Sequence, residues 1–168
     1  MIGGGDWGED RLLHDVMHAA LSGETIAIRN PEAVRPWQHV LNPLSGYLEL
    51  AQALVADPRF QGAWNFGPGP DDMHTVRWIV EGIVDRWQGP VGWELAQGSH
   101  PHEADFLALD SGKARTQLGW SPGWDLGQAL DATVEWYAGL RDGADMRTLT
   151  ESQIASFATA ARLGSATA

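Results

Sequence analysis

The β-type runs in this chain are short, scattered and separated by helical stripes, which limits the sheet it can build. They are Thr25-Ile26-Ala27-Ile28, residues 37–40, Ala63-Trp64-Asn65-Phe66 and Trp93-Glu94-Leu95, set among Asn-Pro, Gly-Pro and Gly turns. Between them, apolar residues recur at helical spacing. A helix is expected over 10–22, stopped by Gly23. Asn42-Pro43 reads as the N-cap and first residue of a second, with Leu44, Tyr47, Leu48, Ala51, Leu54 and Val55 as its core stripe. Thr75 caps a third, with Val76, Ile79, Val80, Ile83 and Val84 on one face. A short helix at 111–118 closes at Gly119, and capping boxes at Asp125–Gln128 and Thr150–Gln153 start two more. So few strands cannot close a sheet. The pattern predicts the peripheral part of an α/β domain, whose sheet edges a free-standing protein would need to cover. One body over 1–163 and a frayed tail over 164–168 are expected.

The 168 residues suffice for one domain, and 43% hydrophobic against 20% charged content can build a core. Eleven Lys and Arg against 22 Asp and Glu give a net charge of −11, which argues against nucleic acid or an anionic membrane as partner. That balance still permits a local basic pocket for a single anion. With no Cys, a disulfide scaffold, a thiolate zinc site and a Cys nucleophile are excluded. No apolar run approaches the about 18 residues of a membrane span. The start, Met-Ile-Gly-Gly-Gly-Asp-Trp, is neither basic nor apolar, so it is no signal peptide and a cytoplasmic protein is expected.

Several motifs carry two readings. Gly3-Gly4-Gly5-Asp6-Trp7-Gly8 matches G-x-G-x-x-G, but only Met1 and Ile2 precede it, so no strand feeds the turn as a dinucleotide loop requires. A glycine turn before a helix, or a loop for a substrate anion, are the alternatives. His14-Asp15-Val16-Met17-His18 spaces two imidazoles one turn apart, without a third ligand for a metal. His100-Pro101-His102-Glu103 reads as a metal or acid–base site, as hydrogen-bonding groups for a sugar or phosphate, or as a polar surface loop. Arg35 sits before Pro36-Trp37 on a stiff segment, where a fixed guanidinium suits either a phosphate or a structural salt bridge. Nine Trp are read as core wedges or as ring platforms for a base or sugar. There is no Tyr-x-x-x-Lys, no Gly-x-Ser-x-Gly and no Walker loop, so no self-contained catalytic set is visible.

Taken in order, several segments resemble a known family. They are Ile-Gly-Gly-Gly-Asp-Trp-Gly-Glu-Asp-Arg-Leu (2–12), Ile-Arg-Asn-Pro (28–31), Arg-Pro-Trp-Gln-His-Val-Leu (35–41), Trp-Asn-Phe-Gly-Pro (64–68), His-Pro-His-Glu-Ala (100–104), Leu-Gly-Trp (118–120) and Thr-Val-Glu-Trp-Tyr (133–137). Together they resemble the C-terminal half of the CDP-glucose 4,6-dehydratases, a branch of the extended short-chain dehydrogenase/reductases. The resemblance implies an α/β fold that is the C-terminal substrate-binding part of such an enzyme, with the Rossmann core upstream. It implies a lyase that uses NAD to convert CDP-glucose to the 4-keto-6-deoxy sugar and water, on the way to bacterial surface polysaccharide. The glycine fingerprint, the Tyr and Lys and the elimination residues of the family lie before the matched segment, so no catalytic residue is expected here and no NAD bound by this chain alone. Met1 stands where the family often has Val, which predicts a reading frame that starts further upstream.

By the same resemblance, Arg35 clamps the diphosphate. Asp10 and Arg11 meet the nucleotide, Arg29 and Asn30 lie near pyrimidine and ribose, Asn65 sits at a strand end near the nucleotide, and His102 and Glu103 belong to a loop closing over ribose and phosphates. A nucleotide sugar is the expected partner, with the N-terminal half in trans as a further one. The family assembles as homo-oligomers through helices that this chain lacks. A stand-alone nucleotide-sugar binder and a non-functional remnant are the other readings.

Overall fold

A computed structural model describes residues 1–8, 11–98 and 104–165. Its elements are α1 (Leu12–Ser22), β1 (Thr25–Ile28), β2 (Val34–Pro36), α2 (Leu41–Ala56), β3 (Met73–Thr75), α3 (Val76–Arg86), β4 (Gly92–Leu95), α4 (Leu126–Arg141) and α5 (Met146–Ser165), with a π turn at Ala114–Leu118. The strands form two separate pairs. β1 runs parallel to β4, with Ile26 opposite Trp93, and β2 runs antiparallel to β3, with Arg35 opposite His74. A single parallel bridge joins Ile2 to His39. The fold is the mixed α/β arrangement of helices and few short strands that the sequence implies. No helix among the described residues is long and apolar enough to cross a membrane.

The main core lies where α1, α3 and α4 meet β1. Val16, Met17, Val80, Ile83, Leu130 and Tyr137 are fully buried there, as are Ile26 and Ile28 from the alternating face of β1. Each such side chain contributes about 2 kcal/mol of burial. The ends of these helices follow local chemistry. Gly23 takes the left-handed backbone at φ 69°, so α1 stops and the N–H of Glu24 reaches the carbonyl of Ala19. The Thr75 hydroxyl accepts from the N–H of Trp78 at the start of α3. Asp125 and Gln128 close the expected capping box on α4.

Five expectations are corrected. Residues 37–40 are not a strand: β2 ends at Pro36, and pairing with the unforeseen β3 uses the positions before it. Pro36 has no N–H for a ladder and sits on an edge. Residues 63–66 join no ladder among the described residues. The helix at 111–118 is a π turn over its last five residues, closed by Gly119 at φ 73°. Thr150 and Gln153 do not cap α5, which begins a turn earlier at Met146 under Asp145. They are tertiary ties to α4 instead: Thr150 accepts from the Trp136 indole N–H, and buried Gln153 donates to the carbonyl of Ala132.

The fifth correction is the largest. Asn42 does not cap α2 but lies inside its first turn and is buried. Its amide donates to the carbonyl of Trp124 at 3.0 Å and accepts from the N–H groups of Gly123 and Trp124. This pins α2 by its inner side, where Gly46 lies so close to Phe66 that a Cβ would overlap the ring. The stripe expected in the core therefore faces outward, with Leu48 69% and Val55 91% exposed. As for the tail, α5 carries through Ser165, and residues 166–168 lie outside the described residues.

Candidate functional site

The glycine-rich start is packed against α4. A Cβ on Gly4 would overlap the Trp136 indole, and the Tyr137 hydroxyl donates to the carbonyl of Asp6 at 3.0 Å. The Trp7 ring meets both Trp136 and Tyr137 edge-on. The Trp-Tyr pair of α4 thus fixes the loop that leads into α1. The same packing tests the dinucleotide reading. The space beside Gly4 is filled by an indole rather than open to a pyrophosphate, so this loop does not fit NAD.

Beside this loop is a cavity of about 690 Å³, lined by residues 1–6 and by Arg11, Leu12, Arg35, Trp37 and Leu107 among others. A smaller recess of about 180 Å³ is lined by Asp15, Arg29, Asn30 and Val76, and it shares Leu12, Arg35 and Trp37 with the first. The two are adjoining parts of one groove, with Arg35 at the junction. Arg35 is half-buried on β2, and its Nη1 donates to the carbonyl of Val34 at 3.0 Å. Trp37 is held by its indole N–H on the carbonyl of His74, the residue opposite Arg35. The β2–β3 pair therefore sets both side chains.

Three of the chain's eleven cationic residues, Arg11, Arg29 and Arg35, line this groove of an acid-rich protein. Its carboxylates have partners: Asp6 bonds Arg11 at 3.2 Å, and Asp15 meets Nδ1 of His14 at 3.0 Å. The amino end of α1 opens on the same space through Arg11, Leu12 and Leu13, which adds the positive end of a helix dipole. A groove with three guanidiniums, a helix amino end and an indole wall is suited to a diphosphate joined to a flat ring.

Of the residues expected at the site, Arg11, Arg29, Asn30 and Arg35 come together. Asn65 does not: it is exposed, lines neither recess, and its amide donates to the carbonyl of Asp110 at 3.2 Å. Asp10, His102 and Glu103 lie outside the described residues, as do His100 and Pro101. His14 and His18 lie one turn apart, with ring centroids 6.0 Å apart and planes tilted by 30°, and no group of three metal-binding side chains occurs among the described residues. Trp37, read with the other tryptophans as a core wedge or a ring platform, is buried and lines both recesses. Sequence reasoning missed Asp15 at the smaller recess, having read it only within the His14–His18 motif.

Behind the loop, His39 is buried against Trp124, and burial pushes its pKa down to about 4. Its Nδ1 accepts from the N–H of Leu41, which leaves the ring proton on Nε2, where no acceptor is found among the described residues.

No protein-family model matches the chain. The CDP-glucose 4,6-dehydratase of Salmonella typhimurium is 43% identical over 161 residues, which is 95% of this chain and 45% of that protein. The chain is a relative of CDP-glucose 4,6-dehydratase. It spans less than half the length of that relative, matching its C-terminal part. Among solved structures, RMD from Pseudomonas aeruginosa, complexed with NADPH, superposes with a TM-score of 0.66 at 17% identity, over 83% of this chain and 45% of that one. The UDP-glucuronic acid 4-epimerase of Bacillus cereus, in complex with UDP-glucuronic acid and NAD, gives 0.62 at 20% identity, over 78% and 40%. These two share the fold, and again the match covers under half of each.

Proposed function

We propose that this chain supplies the nucleotide-sugar site of a CDP-glucose 4,6-dehydratase. The observation that carries the reading is the convergence of Arg11, Arg29, Asn30 and Arg35 on one groove, in a chain 43% identical to such an enzyme. Arg35 holds the diphosphate from the stiff β2 segment, where a planar guanidinium can take two oxygens at once. Arg11 and the amino end of α1 share that charge. Arg29 and Asn30, at the end of β1, meet the nucleoside, with Trp37 as the wall. Identity to the CDP-glucose enzyme exceeds the 26% found with the dTDP-glucose 4,6-dehydratase of Xanthomonas campestris, which favours CDP as the base carrier.

Oxidation of the sugar needs a nicotinamide held against it, and the cofactor supplies that hydride chemistry. In this reading the cofactor belongs to the portion of the enzyme outside the chain, consistent with a glycine loop filled by Trp136. Two expected outcomes test the proposal. Excess CDP-glucose raises the melting temperature of the chain, since a ligand that binds only the folded state stabilises it. Incubation with CDP-glucose and NAD gives no 4-keto product. An unshifted melt would remove the site from this chain, and turnover above background would place catalysis within it.

A further inference from the structure

α5 acts on the groove from a distance. Of its described side chains only Gln153 and Phe157 are buried, and with Thr150 they recur at helical spacing along its inner face. No described residue of α5 lines either recess. Yet two lines of contact start from this face and end on neighbouring glycines that line the larger recess, Gly3 and Gly4.

The first line starts at Thr150. Its hydroxyl donates to the carbonyl of Met146 at 2.7 Å, so toward Trp136 it is an acceptor, and the indole N–H donates to it at 2.9 Å. That bond fixes the turn of the ring that fills the space beside Gly4. The Tyr137 hydroxyl then holds the loop at the Asp6 carbonyl, and the Asp6 carboxylate bonds Arg11 at 3.2 Å. The second line starts at Phe157. A Cβ on Gly123 would stand 2.9 Å from its ring, and the ring meets Trp124 edge-on at 5.2 Å. Trp124 in turn meets His39 at 4.9 Å, and Nε2 of His39 lies 3.4 Å from where a Cβ on Gly3 would stand. That nitrogen is buried with no hydrogen-bond partner among the described residues, so at that end packing places the imidazole.

Glycines have no side chain with which to anchor themselves, so a run of three takes its position from what packs on it. Here Trp136 packs on Gly4 and His39 on Gly3, and both rings are backed by α5. Interiors are close-packed, so a gap opened behind either ring passes to the glycine it holds. We propose that Thr150 and Phe157 are positioning residues for the nucleotide sugar. They set the glycine lining and Arg11, and so the affinity of the groove, without touching the ligand. This rests on the family reading above and gives α5 a part in it.

The test titrates CDP-glucose by calorimetry into the chain and its variants, well below every melting temperature. Thr150→Val removes the acceptor at nearly unchanged size. It should raise Kd about fivefold while the melting temperature stays within about 2 °C, since the site is exposed. Thr150→Ser keeps the acceptor and should return the wild-type Kd within about twofold. Phe157→Leu should raise Kd by a similar factor to Thr150→Val, and Ile154→Ala, at an exposed position of the same helix, should leave it unchanged. The wild type supplies a readout without a variant. Its Trp136 indole N–H resonance, identified by its loss in Trp136→Phe, should shift as CDP-glucose is added and saturate at the calorimetric Kd. Equal Kd in Thr150→Val and wild type, losses of affinity that only track losses of melting temperature, or an indole resonance indifferent to the ligand would each overturn the proposal. Failure of the family reading looks different: the folded wild type binds no CDP-glucose. Amide exchange at Gly4 and Gly5 then decides the positioning step by itself. Thr150→Val should speed it about tenfold, and an unchanged rate would overturn it.

Discussion

His39 shows how one buried ring can set the acid stability of the fold. Its value of about 4 in the folded chain, against an ordinary 6.5, means that the unfolded state binds more protons between those limits. The contribution is fully present above pH 6.5 and is lost as pH falls toward 4, by roughly 3 kcal/mol in all. Urea denaturation at pH 7, 5.5 and 4.5 should show this decline, and His39→Gln should flatten it. An equal slope in the variant would contradict the assignment. The sequence shows a His in a Trp-Gln-His-Val segment but not its burial, because the ring packs on Trp124, far along the chain. Arg35 is the reverse case. The stiffness of its segment was legible from Pro36 and Trp37, since both residues restrict the chain locally. The position of Asn65 away from both recesses was not legible, because its partner, the carbonyl of Asp110, is likewise distant in sequence.

At the scale of elements, local signals fared well where the chemistry is local. The caps at Gly23, Thr75 and Asp125 stand where the residues put them. Periodicity failed for α2, where the stripe was real but its direction depends on Asn42. That side chain satisfies two N–H groups and one carbonyl in a buried turn, so α2 is fastened by a polar clamp rather than by its apolar face. Asn42→Ala should therefore cost about 3 kcal/mol, the price of leaving buried polar groups without partners. Chemical denaturation of the two proteins measures it, and a loss under about 1 kcal/mol would show that the clamp is dispensable. Thr150 and Gln153 teach the same lesson. Their spacing fits a capping box, but both side chains have better partners on α4, and Asp145 takes the helix end instead.

For the whole molecule, the strands of the described residues form two separate pairs, and α2 turns its apolar stripe outward. The groove is lined by β1 and β2, the glycine loop and the amino end of α1. Its architecture was partly legible, since strands too short and too few to close a sheet predict a peripheral α/β part. The β2–β3 pairing that orients Arg35 was not, because a three-residue strand at Met73–Thr75 carries too little pattern to be seen. The central claim is that this groove takes a nucleotide sugar through Arg35. Calorimetric titration of CDP-glucose into the wild-type chain and into Arg35→Ala tests it most directly. The account predicts binding by the wild type and a loss of about 2–3 kcal/mol in the variant, roughly 30- to 150-fold in affinity. Equal affinity in the two proteins, or no binding by the folded wild-type chain, would contradict it.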